Sequence, residues 1–153
     1  CNNRNIWNNL RDFIPSPYTR ADAALFIGQC MNELPPKTFA IQYGDQLVGT
    51  VGLVPQPDVY RISAELGYWI GEPFWGKGIA TEAVKLMIRY GFDQLGLKRI
   101  YAGVFDFNKA SCRVLEKAGF SLESIRKQAA VKNGRICDEY QYCKLARDSF
   151  QTD

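Results

Sequence analysis

The stretch from Gly71 to Thr81 holds the residues best suited to chemistry. Gly71-Glu72-Pro73-Phe74-Trp75-Gly76-Lys77-Gly78 is a glycine-rich turn between an alternating strand and an apolar-periodic helix. The first turn of a helix presents unpaired N–H groups and the positive end of the helix dipole, which suits a phosphate. Gly76 and Gly78 let backbone approach an anion closely, and Lys77 adds charge. A nucleoside triphosphate would want Ser or Thr after Gly76-Lys77 to hold magnesium, with Ile100–Asp106 as the accompanying acidic strand. Gly78 stands at that position, Glu72 lies inside the loop, and an antiparallel meander precedes it. The diphosphate of coenzyme A needs no metal, because main-chain N–H groups alone can hold it. The remaining reading is a glycine turn that only ends a strand.

Composition bounds the rest. The chain has 153 residues, 46% hydrophobic and 23% charged, with a net charge of +3, which fits one globular domain and excludes disorder. That charge is too mild to call for nucleic acid, and no apolar run is long enough to span a membrane. There is no histidine, so Ser-His-Asp and Cys-His nucleophiles, histidine metal sites and histidine bases are excluded within this chain. Proton transfer falls to Glu, Asp, Tyr, Lys, Cys, Ser or water. The five cysteines form no CxxC pair, so a disulfide framework is not expected and a reducing, cytoplasmic compartment is. The sequence opens at Cys1 rather than Met, and a fragment lacking its true start is expected.

These residues need elements to position them. Thr19 can cap a helix over about 20–32, where Ala23, Phe26, Ile27 and Cys30 recur at helical steps before Pro35-Pro36 stop it. Thr38–Tyr43 and Gln46–Val54 read as a hairpin about Gly44-Asp45, and residues 61–70 alternate as a third strand. In that strand Ile62, Ala64, Leu66, Tyr68 and Ile70 share one face. A helix over about 79–95 follows the loop, with Ile79, Ala83, Val84, Met87, Ile88 and Leu95 on one stripe. Residues 98–106 form a strand, Asn108 caps a helix over about 109–118, and Gly119 ends it. Strands over about 120–132 and 135–145 pair through Asn133-Gly134. Residues 1–18 are polar and turn-rich. Helix, three strands, helix, strand, helix and two strands make a mixed α/β domain.

The run GYWIGEPFWGKGIATEAV (67–84) resembles the cofactor motif of the GNAT acetyltransferases, Gln/Arg-x-x-Gly-x-Gly/Ala, whose last positions fall on Gly78 and Ala80. Trp75 replaces the usual Gln or Arg, as in the branch that contains the ribosomal-protein alanine N-acetyltransferases. Asn108-x-x-Ser111 through Lys117-Ala118-Gly119-Phe120 is similar to that branch's second block. The resemblance implies a mostly antiparallel sheet splayed in its middle and flanked by helices. It also implies that a first strand and part of a first helix are missing.

It further implies an N-acetyltransferase with acetyl-CoA as cosubstrate and no metal. Pantetheine would lie along backbone near Tyr68, Trp69 and Ile70, as an added strand does. N–H groups from Trp75, Gly76, Lys77, Gly78, Ile79 and Ala80 would hold the diphosphate, with Thr81 just behind, and Asn108 and Ser111 would face the pantetheine arm. Deprotonating a lysine-like acceptor at pH 7 costs roughly 4–5 kcal/mol, but an α-amine only about 1 kcal/mol. The acceptor is then a primary amine, either a peptide N-terminus or a small amine, with a non-catalytic acyl-CoA sensor as the alternative. Glu65 is the expected base, directly or through water. The family's usual acid, a Tyr, is replaced by Leu115, so Ser111 is the expected proton relay and Tyr140 a weaker candidate. Lys109, Arg113 and Lys117 read as a solvated basic stripe, and Cys112 as a packing residue.

Overall fold

Six strands and three helices follow the order that the periodicity predicts, preceded by one further short helix, in a computed structural model that describes residues 1–146. The helices are α1 (Arg4–Trp7), α2 (Arg20–Met31), α3 (Ile79–Asp93) and α4 (Lys109–Lys117). The strands are β1 (Thr38–Tyr43), β2 (Gln46–Pro55), β3 (Ser63–Ile70), β4 (Arg99–Phe105), β5 (Ser121–Lys132) and β6 (Arg135–Leu145). They form one sheet ordered β1-β2-β3-β4-β6-β5, in which only β3 and β4 are parallel. Local signals act as read: Thr19 and Asp22 form a reciprocal capping box, Asn108 caps α4, and Gly119 is left-handed at φ +87°. Asn133 and Gly134, at φ +51° and +75°, make the tight turn of the last hairpin.

The core lies between the sheet and the pair α3 and α4. Ala64, Leu66 and Ile70 of β3 and Ile100, Ala102 and Val104 of β4 face Val84, Met87 and Ile88 of α3 and Leu115 of α4. The face opposite these helices is called the front face below. Leu115, where the resemblance would place an acidic tyrosine, is fully buried in this core. Leu115→Ala should cost about 2–5 kcal/mol through its cavity. A circular-dichroism melt should then show Tm lowered by roughly 6–15 °C for a chain of this size, and an unchanged Tm would contradict this packing.

Three expectations are corrected. Strand β3 begins at Ser63 rather than at residue 61, and Ile62, expected to share the face of Ala64 and Leu66, is 52% exposed while those two are buried. No residue of α2 is buried, although Ala23, Phe26, Ile27 and Cys30 recur at helical steps as an apolar stripe would. A periodic apolar face states that a helix can pack, not that an element is present to cover it. The turn-rich start contains α1, capped by the Asn3 side chain on the N–H groups of Asn5 and Ile6.

Candidate active site

The sheet parts where β3 and β4 meet. They pair only at Ser63, Ala64 and Glu65 against Arg99, Ile100 and Tyr101, so Leu66–Ile70 and Ala102–Phe105 diverge without a common ladder. Alternation decides which backbone groups line the gap. Gly71 N–H donates to the Val48 carbonyl at 2.7 Å and Gln56 N–H to the Ser63 carbonyl at 2.9 Å, so odd-numbered residues of β3 turn toward β2. Leu66, Tyr68 and Ile70 therefore point their peptide groups into the gap. Trp69, expected beside pantetheine with Tyr68 and Ile70, turns its peptide groups to β2. On β4, Asp106 N–H donates to the Asp138 carbonyl and Ala146 N–H to the Lys98 carbonyl, each at 3.0 Å. Even positions there face β6, and the Gly103 backbone faces the gap.

At the wide end of the gap lies the glycine loop. Gly76 (φ +73°) and Gly78 (φ +78°) are both left-handed, and a Cβ on either would meet nothing within 4 Å, so open space lies over them. The first backbone bond of α3 runs from Glu82 N–H to the Gly78 carbonyl, and Gly78 caps the helix with no side chain. The N–H groups of Gly76, Lys77, Gly78, Ile79, Ala80 and Thr81 thus have no acceptor among the described residues. Six convergent donors at a helix start suit a diphosphate. Trp75, expected to contribute an N–H, instead donates it to the Glu72 carbonyl at 3.1 Å, and its indole donates to the Ile70 carbonyl at 2.7 Å. Lys77 rests its ammonium 5.2 Å from the Phe74 ring and 5.9 Å from that of Tyr43. Glu72 is turned away: Asn3 and Asn5 donate to its two oxygens and lower its pKa.

Beside the gap, the side chains of Tyr68 and Ser111 meet. Their hydroxyls are 2.7 Å apart, while the Asn108 carboxamide oxygen accepts from the Ser111 backbone N–H at 3.1 Å. Burial pushes the Tyr68 hydroxyl up to about 12, so it holds its proton at neutral pH. Sequence reading had assigned Tyr68 a backbone role only, and its hydroxyl is the added feature here. Tyr140 stacks under the Lys109 ammonium at 4.8 Å, and Cys112 is buried in the core.

The front face of the gap is charged. Glu65 sits at the vertex with both carboxylate oxygens held by the fork of Arg11, so the expected base is engaged rather than free. Tyr101 stands beside it. Burial raises the Tyr101 pKa first and Glu65 raises it further, while Arg11, Arg99 and Arg126 oppose them. Glu139 of β6, which sequence reading missed, is buried on the same face with its Oε1 accepting from Arg126 Nη1 at 2.7 Å. The N-terminal segment roofs this face. Besides Arg11, Asp12 pairs with Lys132 at 2.6 Å, Lys132 lies 3.4 Å from the Trp7 ring centroid, and Asn8 accepts from Asn133 at 3.0 Å.

A groove of about 530 Å³ between β1 and α3 is walled by Phe39, Ile41, Tyr43, Leu86 and Tyr90. It runs up to Lys77, Gly78 and Ile79 of the glycine loop, but its remaining walls are largely apolar, and the parted strands at the other side of that loop are the candidate site. No three Cys, Asp or Glu side chains cluster as a metal site among the described residues. No helix there is long and apolar enough to cross a membrane.

Comparison with known proteins agrees with this geometry. The model of the acetyltransferase (GNAT) domain family matches residues 2–121. The N-acetyltransferase p20 of Bacillus licheniformis is 33% identical over 87% of this chain and 78% of its own length. YjcK of Bacillus subtilis (strain 168) is 46% identical over 63% of this chain, which spans about half of YjcK, at 53%. Two relatives carry an acceptor in their names. "Putative ribosomal N-acetyltransferase YdaF" of Bacillus subtilis (strain 168) is 36% identical over 69% of this chain and 57% of its own. Spermidine N(1)-acetyltransferase of Escherichia coli (strain K12) is 32% identical over 70% and 57%. The solved GNAT acetyltransferase of Bacillus anthracis superposes with a TM-score of 0.77 at 26% identity, covering 94% of this chain and 83% of that one. Mycobacterium smegmatis RimJ, solved with CoA-disulfide, superposes at 0.73 with 26% identity over 86% and 65%. A splayed sheet, a row of free amides at the start of α3 and a family model covering both show that the chain belongs to the GNAT acetyltransferase family.

Proposed function

We propose that this chain moves the acetyl group of acetyl-CoA to a primary amine, with the α-amine of a peptide or protein as acceptor. The observation that carries this reading is the run of six unpaired N–H groups opening onto the parted strands, which fits a diphosphate followed by an extended arm. Gly76–Thr81 hold the diphosphate, and the peptide groups of Tyr68 and Ile70 pair with the arm. A free N–H of β3 stabilises charge that develops on the acyl oxygen. Acetyl-CoA supplies a thioester. The acceptor ammonium gives one proton to a base, the C–N bond forms and the C–S bond breaks. Ser111, backed by Tyr68, hands a proton to the departing thiolate. The nitrogen's second proton goes to solvent, from which the hydroxyl pair is restored.

The α-amine acceptor is supported by the modest cost of its deprotonation and by the name of YdaF. The spermidine relative makes a polyamine the comparison to run. Thiol release and mass spectrometry with acetyl-CoA, peptides with free or blocked N-termini, polyamines and aminoglycosides test this. Saturable acetylation of free N-termini, lost on blocking, is the expected result. Tight coenzyme A binding without turnover on any amine would make the chain a sensor, and turnover on polyamines alone would overturn the α-amine reading.

A further inference from the structure

We propose that Glu139 is the base that takes the acceptor amine's proton. This rests on the transferase reading above and assigns a residue within it. The side chain of Glu139 lies on Gly103: a Cβ there would stand 2.8 Å from Glu139 Cδ, 2.9 Å from Oε1 and 3.1 Å from Oε2. A glycine inside a strand marks just such a close approach. Gly103 is two residues beyond Tyr101, the last β4 residue paired with β3, so the carboxylate overhangs the segment that lines the gap. Two residues of strand rise about 6.6 Å, which sets Glu139 one step up the gap from Glu65.

The two carboxylates differ in what they have free. Both oxygens of Glu65 are taken by Arg11, whereas Oε2 of Glu139 has no hydrogen-bond partner among the described residues. Residue Glu139 is only 9% exposed, while its partner Arg126 has a side chain 60% exposed. Arg126 can therefore swing into solvent when an ammonium arrives, and a neutral amine is released above the gap. The charged and titratable groups that act with Glu139 are Arg126 from β5, which pairs with it and also acts on Tyr101 of β4, and Cys137 on its own strand, with the Glu65–Arg11 pair beside Tyr101. In the step itself, R–NH3+ and the Glu139 carboxylate become R–NH2 and the carboxylic acid, which returns the proton to solvent.

The test is kcat/KM for a peptide α-amine from pH 6.5 to 9.5 in the full chain. With Glu139→Gln, activity at pH 7 should fall by about 10²–10³-fold. The defect should shrink to within roughly fivefold at high pH, where an amine of pKa about 7.8 is already neutral. Calorimetry should show coenzyme A affinity unchanged within about twofold, so that a folding defect is not mistaken for lost chemistry. Gly103→Ala, which displaces the carboxylate while leaving it ionisable, should reproduce the same pH-dependent loss. Any loss in Glu65→Gln should stay in constant ratio to the parent chain across that range. A loss in Glu139→Gln that does not change with pH, no loss at all, or the pH-dependent pattern in Glu65→Gln alone would overturn the assignment. Failure of the unsubstituted chain to acetylate any amine would instead sink the transferase reading, and needs no variant to detect.

Discussion

Gly78→Val should weaken coenzyme A binding by about 10²–10⁴-fold while leaving the fold intact. Gly78 caps α3 at φ +78° with no side-chain help, and the N–H groups on either side of it are free. A β-branched residue cannot hold that left-handed conformation, so the peptide planes around it must rotate. Hydrogen bonds to a charged partner are worth about 1.5–3 kcal/mol each, and losing two of them gives the stated factor. Open space over Gly78 means that the valine meets no clash, and the buried stripe of α3 begins further along at Thr81 and Ala83. Isothermal titration with coenzyme A, beside a thermal melt, separates the two effects. Affinity within threefold of the parent chain would show that the loop does not hold the diphosphate.

Ser111→Ala should lower kcat by about 10²-fold and leave the KM for acetyl-CoA nearly unchanged. The Asn108 cap accepts from the backbone of Ser111, not its hydroxyl, so the substitution spares the helix start. Tyr68→Phe should give a similar fall, and the double variant little more than either one, because two hydroxyls 2.7 Å apart act as a unit. Burial raises the Tyr68 pKa to about 12, so its hydroxyl stays protonated and this pair puts no alkaline limb on kcat below about pH 10. Stopped-turnover kinetics on the three variants check this. Additive losses, or a fall confined to KM, would remove the pair from proton transfer.

Local chemistry made much of this legible. Thr19, Asn108, Gly119 and Asn133-Gly134 act through neighbours a few residues away, so their caps and turns could be read directly. The glycine loop was legible for the same reason. Illegible were contacts between distant segments. Arg11 on Glu65, Asp12 on Lys132 and Asn3 with Asn5 on Glu72 join residues 54 to 120 positions apart, and nothing in the polar start foretells them. Glu139 was hidden in another way. Its place depends on the β4–β6 register and on one missing side chain, although Gly103 inside a strand was a signal available to be used. Alternation along β3, given its pairing with β2, likewise decides that the peptide groups of Leu66 and not those of Trp69 turn into the gap.

The most direct measurement is a crystal structure of the full chain with acetyl-CoA. Diphosphate oxygens should lie about 2.7–3.1 Å from main-chain nitrogens of Gly76–Thr81, with the thioester between Tyr68 and Gly103 and close to Ser111. Coenzyme bound with its diphosphate away from Gly76–Thr81, or β3 and β4 paired along their whole length, would contradict the account.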